Sequence, residues 1–572
     1  MGTAEQLIPR EMALFDLGRY EAAVKPLVPL FIFALTTEMA LDAIIISDIG
    51  GDSLSGSSPL RLEIDGRPAT LPAVLNFLEN GGKITPPVRD EDRLSWSSAP
   101  RLNGIHLFHE LERHGFRAEL INNYYAEKDL FLRHLEQSPR AVVISTTFII
   151  SKQAIRRLVE DVRTHAPGIA VILGGPFVYS SFLLMQKKAD PSYETESAGD
   201  DFLFLDVRDE PAVDLYIIGR SGHAVLREAL KRIRDGRKPE GLPGTAWLDG
   251  NRYAFGPPNA ENDEVGPGLI PDWSILPDRV FRTEVVPIQA STGCPFKCAY
   301  CNFIKDRRLT YVKPLDRLIA ELKSVSARGA RYVRFIDDNF RLGRMDLDQV
   351  CRRLIDEGIN LKWMSFIRAG TLKNSDLELL RRAGCVEMQL GLESAAGRIL
   401  QNMNKEADPG LYAGVVKDLL SAGINASCCF IFGFPGETEE TVRRTIQFIK
   451  ESGHPELEGV FSWSIYPFIL APLSPVYEPG MRKRYDLAGY MMEWKHATMD
   501  WKEARGWIKR AFVEIENSGP HYGEENLDLF LGLSAGVRKK FSAGRHKLAK
   551  LGVAGRLDRE VMIRVFREVL AG

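Results

Sequence analysis

Short β-branched runs alternate with amphipathic segments of helical period along two long stretches of the chain, a pattern that fits parallel strands joined by crossover helices. In the first stretch the runs are LDAIIISDI (41–49), AELI (118–121), AVVIST (141–146), IAVILGG (169–175) and DLYIIG (214–219), with helical patterns near 103–114 and 152–164. Such a series predicts an open, doubly wound sheet whose ligands sit beyond the carboxyl ends of the strands. A Pro- and Gly-rich passage from Gly241 to Pro277 breaks the period and reads as a linker. Six further runs follow: VVPIQAS (285–291), RYVRFI (331–336), LKWMSF (361–366), VEMQLG (386–391), ASCCFIF (426–432) and GVFSWSIY (459–466). Six strand–helix periods predict a partial parallel barrel with its chemistry at the strand C-termini, where the loops are free to vary. After Leu473 the strand signal stops, and WKEARGWIKRAFVEIEN and LDREVMIRVFREVLA read as amphipathic helices of a cap.

The expected α/β organisation is an N-terminal extension over 1–39, a Rossmann-like domain over 40–245 with an insertion at 52–99, and a linker over 246–284. A partial (β/α)6 barrel over 285–472 and a helical region over 473–572 complete it. At roughly 150 residues per domain, a chain of 572 residues suits this division. Lys and Arg number 74 against 76 Asp and Glu, so no global positive charge is present to neutralise a nucleic acid. The most apolar early stretch, Leu27 to Ile46, carries Glu38 and Asp42 and reads as soluble core instead of a membrane span. Seven cysteines, all in the second half, are too few for a disulfide scaffold and predict a reducing, cytoplasmic setting.

Three of those cysteines lie in STGCPFKCAYCNF (291–303), just past the first expected barrel strand. Cys294, Cys298 and Cys301 form a C-x3-C-x2-C loop that can wrap one metal centre. Structural zinc is usually closed by four ligands, whereas three thiolates on a four-iron cluster leave one iron open for chemistry. The loop resembles that of the radical S-adenosylmethionine (SAM) superfamily, in which this spacing holds a 4Fe-4S cluster in a partial parallel barrel. The resemblance implies that Cys294, Cys298 and Cys301 hold the cluster, that its open iron chelates SAM, and that one electron releases a 5′-deoxyadenosyl radical. It makes Tyr300 a neighbour of the adenine.

Later segments resemble the same family's SAM contacts. Asp337 or Asp338, in FIDDNF (335–340), is expected to accept hydrogen bonds from the SAM ammonium, and Arg368 to meet its carboxylate. Glu393 and Ser394 in EMQLGLES (387–394), with Lys405 downstream, resemble the segment that reaches the ribose and methionine portions. Gly433, in FIFGFPGE (430–437), resembles the glycine that lets backbone approach the adenine. Cys428 and Cys429 are adjacent on one strand, so at most one faces the barrel interior; they read as packing residues, as do Cys351 and Cys385.

The front domain resembles that of the cobalamin-dependent class of radical SAM proteins. Ser145, Thr146 and Thr147, Gly174 and Gly175, and Gly219 fall at strand ends that in this class contact the corrin and its nucleotide tail. The Asp-x-His-x-x-Gly motif that supplies an axial histidine in some cobalamin proteins is absent, since none of the ten histidines has an aspartate two residues before it. His223 reads as a helix-start histidine, and the segment Tyr490–Met499, which carries His496, as helix packing.

The resemblance implies a methyltransferase acting on an unactivated carbon or phosphinate phosphorus of a natural-product precursor. The radical removes a hydrogen from the substrate, and methylcobalamin then delivers the methyl group. The implied partners are a small-molecule substrate and an external one-electron reductant of the flavodoxin or ferredoxin kind, with neither nucleic acid nor membrane. A radical cyclase or rearrangement enzyme with the same layout is the alternative, and a non-catalytic iron-sulfur or zinc-binding module is the alternative of another class.

Overall fold

The computed structural model describes residues 41–50, 63–64, 67–68, 99–208, 210–219, 222–258, 271–302, 311–340, 347–521, 534–556 and 559–571. The expected extension over 1–39 and nearly all of the expected insertion over 52–99 lie outside the described residues.

The front sheet contains β1 (Ala43–Ile46), β2 (Ala118–Ile121), β3 (Ala141–Ser145), β4 (Ala170–Gly174), β5 (Leu215–Ile217), β6 (Thr245–Asp249) and β7 (Arg252–Phe255). Its spatial order is 2-1-3-4-5-6-7, with the first five strands parallel. Alternate residues of one strand enter different cores. Ala43 and Ile45 pack with helices α1 (Leu102–Arg113) and α5 (His223–Arg234) on one face. Ile44 and Ile46 pack with α2 (Lys128–Leu135) and α3 (Lys152–His165) on the other, while α4 (Pro176–Lys187) follows β4. Both faces are covered, which is why these strands read as continuous apolar runs. The chain reverses direction across the sheet between β1 and β3, and a doubly wound sheet leaves its crevice beside that switch point.

β6 and β7 form an antiparallel hairpin on the edge of this sheet, turning at Gly250 with a φ of 61°. The expected linker from 246 is therefore corrected: its first ten residues extend the front sheet. Of its later part, the described residues 256–258 and 271–284 form no strand, and 259–270 lie outside the described residues.

The second sheet runs β8 (Val285–Ile288), β9 (Tyr332–Phe335), β10 (Lys362–Ile367), β11 (Cys385–Glu393), β12 (Asn425–Phe432) and β13 (Phe461–Pro467), all parallel and in chain order. Helices cross between them, as in an open barrel. Outward positions such as Phe335, Met388, Leu390 and Trp463 are buried. Along one registered row on the other side lie Phe366, Gln389, Ser427 and Ser462, and along the next Gly391, Cys429 and Ser464. Phe366 is 36% and Tyr466 is 44% exposed, so this inner side opens onto a lumen.

The region after 473 departs from the expected helical cap. Helices Trp501–Glu514, Ala535–Val553 and Arg559–Ala571 are present. Before the first of them, however, β14 (Ala488–Tyr490), β15 (Glu493–His496) and β16 (Met499–Asp500) make an antiparallel sheet, and Gly519–Pro520, after that helix, adds a seventh segment beside β13. Gly489, at φ 103°, would press a side chain onto the backbone of Glu493 and Trp494, so this tight pairing needs glycine.

Candidate active site at the barrel mouth

Two neighbouring aspartates anchor the cysteine loop. Asp337, just past β9, accepts hydrogen bonds from the backbone of Ala290 at 3.1 Å and of Ser291, and from the Ser291 hydroxyl at 2.5 Å. Asp338 accepts one from the Gly293 N–H at 2.8 Å, where the chain turns with a φ of 81°. Both Asp337 oxygens are thus engaged in holding the loop, and burial pushes the carboxyl up to about 6 even with these donors. Farther along, the Ala299 N–H donates to Met403 O at 2.7 Å, and the Asn404 amide to Lys297 O at 2.7 Å. The loop is tied at both ends before anything binds.

The thiols of Cys294 and Cys298 interact electrostatically, and burial pushes the Cys294 thiol up. The Arg368 guanidinium lies 3.8 Å from the Cys298 sulfur and 3.7 Å from the centre of the Phe296 ring, and it donates to Glu406 O at 2.6 Å. The Arg368 charge also acts on the Cys294 thiol, in the direction that favours the thiolate, the form that binds metal. The Cys301 N–H donates to Cys298 O at 3.2 Å, which keeps the last two cysteines on one turn. Among the described residues, no three His, Cys, Asp or Glu side chains gather as the ligands of a single metal ion. Cys351, Cys385 and Cys428 are buried elsewhere and supply no fourth thiol to the loop.

Beside the loop, the Tyr300 hydroxyl donates to Glu393 Oε1 at 2.8 Å, and Lys405 Nζ donates to the same oxygen at 2.6 Å. Burial and the Glu393 charge push the Tyr300 hydroxyl up, so it stays protonated and donates. Glu393 has a φ of 65° at a register shift of β11, a strained backbone for a non-glycine residue. At Gly391 a Cβ would stand 2.8 Å from Glu393 Oε1 and 3.2 Å from Lys405 Nζ, so glycine there makes room for this cluster. Phe296, Arg368, Gly391, Lys405 and Tyr412 help to line an adjoining cavity of about 460 Å3.

Two expected contacts sit differently. The Ser394 hydroxyl is wholly buried, shares a hydrogen bond with Thr445 at 3.3 Å and accepts from the Ala396 N–H at 3.1 Å, so it shapes a turn. Gly433 donates its N–H to Glu437 and its carbonyl accepts from His496 Nε2 at 3.1 Å, so the N–H is already engaged within the fold. His496 is therefore neither solvated nor on a helix: it is buried and stacked on Trp494.

A second cavity, of about 310 Å3, lies where the C-terminal ends of β3, β4 and β5 meet the barrel. Ser145, Thr147, Gly174, Gly175 and Gly219 line it. Thr146 does not: its hydroxyl donates to Gly174 O at 2.9 Å and accepts from the Phe177 N–H at 3.2 Å, securing the start of α4. Gly222 also lines the cavity, where a Cβ would come within 2.5 Å of Ile217. Ser291 and Thr292, three and two residues before Cys294, form part of its barrel wall. The front cavity thus adjoins the cysteine loop.

Sequence reasoning missed Phe296 and the polar row inside the barrel. Arg334 donates to Gln389 Oε1 at 3.3 Å, and Cys429 lies near Arg334 and Glu393. The signal was available: a polar residue at every second position of strands that should otherwise be wholly apolar.

The fold and the cysteine loop define a class, the radical SAM proteins, and residues 288–449 match the Radical SAM superfamily. That part of the chain is a radical SAM domain. The chain is 28% identical over 252 residues to "Uncharacterized methyltransferase PH0819" of Pyrococcus horikoshii, covering 43% of this chain and 55% of that protein. It is also 28% identical over 291 residues to the "Anaerobic magnesium-protoporphyrin IX monomethyl ester cyclase" of Cereibacter sphaeroides, covering 48% and 46%. The chain therefore spans about half the length of these relatives. Among solved structures, that of the cobalamin-dependent S-adenosylmethionine radical enzyme OxsB with aqua-cobalamin bound superposes with a TM-score of 0.55 at 13% identity, covering 93% of this chain and 75% of that one. The two-domain fold is shared.

Proposed function

We propose that the protein is a cobalamin-dependent radical SAM methyltransferase acting on an unactivated carbon or phosphinate phosphorus of a small natural-product precursor. The observation that carries this reading is the continuity of the two sites, since the segment leading from β8 into the cysteine loop also walls the front cavity through Ser291 and Thr292. The donor set fits. Three thiols on one anchored loop, without a fourth, suit a cluster with an open iron. When bound, a 4Fe-4S cluster with SAM supplies a 5′-deoxyadenosyl radical, and cobalamin supplies a methyl group.

The chain's own residues do the rest. Cys294, Cys298 and Cys301 would hold the cluster. Arg368 and Lys405 offer positive charge to a carboxylate in the adjoining cavity, and Glu393 and Asp338 offer acceptors to an ammonium or ribose hydroxyl. Tyr300 fixes the Glu393 carboxylate. Ser145, Thr147, Gly174, Gly175 and Gly219 present little bulk at the strand ends, which leaves room there for part of a large cofactor. The lumen beyond, with Arg334, Gln389 and Tyr466, is where substrate would be shielded from water. No helix among the described residues is long and apolar enough to cross a membrane, and the reductant would be a cytoplasmic flavodoxin- or ferredoxin-like protein.

Similarity to the anaerobic cyclase favours a second reading, in which the same machinery closes a ring without net methylation. The test is anaerobic reconstitution with iron and sulfide followed by SAM and dithionite. Release of 5′-deoxyadenosine is expected, and it should vanish in Cys298→Ala. Retention of cleavage in that variant would refute the thiol's role. Methyl-labelled SAM separates the two readings, because only the transferase moves label into product.

A further inference from the structure

Helix α1 presents Leu102, Asn103, His106 and Leu107 on one face, at helical spacing, to the front cavity. Some polar groups near it are already engaged, while the Tyr311 and Thr292 hydroxyls on the barrel wall are buried with no partner among the described residues. The Asn103 amide donates to Ser47 O at 2.9 Å and to Ser145 Oγ at 2.8 Å, and the Ser145 and Thr147 hydroxyls share a hydrogen bond at 3.2 Å. Lys313, on the barrel wall, pairs with Glu321. The His106 ring has no hydrogen-bond partner among the described residues. Burial, with the nearby His223 and Lys313, pushes it down to about 3, so the imidazole is neutral and keeps one N–H donor.

A cavity of about 310 Å3 is far too small for a corrin, but it suits an aromatic base with its ribose. Cobalamin ends in such a group, a dimethylbenzimidazole nucleotide on a flexible arm. A base lodged there is away from cobalt. Its ring nitrogen then carries an unused lone pair among apolar walls (Val143, Ile172 and Leu226), where an unpaired acceptor is costly. Resting on the cobalamin reading, we infer that His106 donates the hydrogen bond that reads the base of the nucleotide tail, making it a specificity residue for the cofactor's lower half.

The test is equilibrium binding of hydroxocobalamin and of cobinamide, which lacks the nucleotide, to the full chain, followed by absorption. Wild type should bind cobalamin more tightly than cobinamide. His106→Leu should weaken cobalamin about ten-fold, the scale of one hydrogen bond, and leave cobinamide unchanged, while His106→Gln should keep most of the affinity. Unchanged cobalamin affinity in His106→Leu, or equal losses for both corrinoids, would overturn the assignment and leave the cobalamin reading standing. So would the same selective loss in Gln289→Leu alone, since Gln289 enters from the opposite wall. Nitrogen splitting in the cobalt(II) EPR spectrum that disappears in His106→Leu would overturn it too, because the ring would then ligate cobalt. Binding of neither corrinoid by wild type would overturn both.

Discussion

Lys405 and Glu393 form an ion pair with side chains only 5% and 10% exposed, and Tyr300 bonds to the same carboxylate. Removing one member of a buried pair leaves the other charge uncompensated, at a cost of about 3–5 kcal/mol. Lys405→Met should destabilise the fold by that order in urea titration, and Lys405→Met with Glu393→Gln should recover most of it. Glu437 makes a different statement. It is wholly buried beside Gly433, one of its oxygens has no partner among the described residues, and burial pushes its carboxyl up to about 8. The fold therefore holds that proton more tightly than the unfolded chain does. Its stabilising share is complete below the ordinary value of 4.5 and is lost as pH rises toward 8. Glu437→Gln should flatten the fall in stability between about pH 5 and 8, read by thermal melts. An unchanged pH profile would show that this carboxyl does not control it.

At the scale of the element, Gly433 sits at φ 93°, where a Cβ would press on the Trp494 ring and stand 2.8 Å from the Ala504 side chain. Gly433→Ala should cost about 1–3 kcal/mol and loosen the 488–500 sheet, visible as faster amide exchange there. The strands of the front sheet were legible because burial on two faces demands unbroken apolar runs, as in AVVIS of β3. β15 was not. Its sequence EWKH buries alternate residues, Trp494 and His496, against Gly433, and four residues are too few to separate a strand from a helix turn. Asp337 and Thr146 show another limit. Sequence placed each at a strand end, but it could not show that backbone N–H groups of the neighbouring segment had already taken their oxygens.

For the whole molecule, the sequence announced two sheets and the cysteine loop but not how they meet. The front cavity exists because α1 and α5 lean over the ends of β3 to β5 while Gln289 to Thr292 close the far side, a long-range arrangement that no local pattern encodes. One apolar cluster runs from Ala43 and Ile45 of the front sheet through Trp273 to Val286 and Ile288 of the barrel, so the two units share a core. The proposed chemistry requires an iron-sulfur cube at the barrel mouth with one corner left for SAM. Mössbauer spectroscopy of oxygen-free, iron-57-reconstituted protein tests it directly. Four irons per chain are expected, and addition of SAM should shift the signal of one while three stay as they were. A protein that takes up zinc instead, or whose four irons ignore SAM, would contradict it.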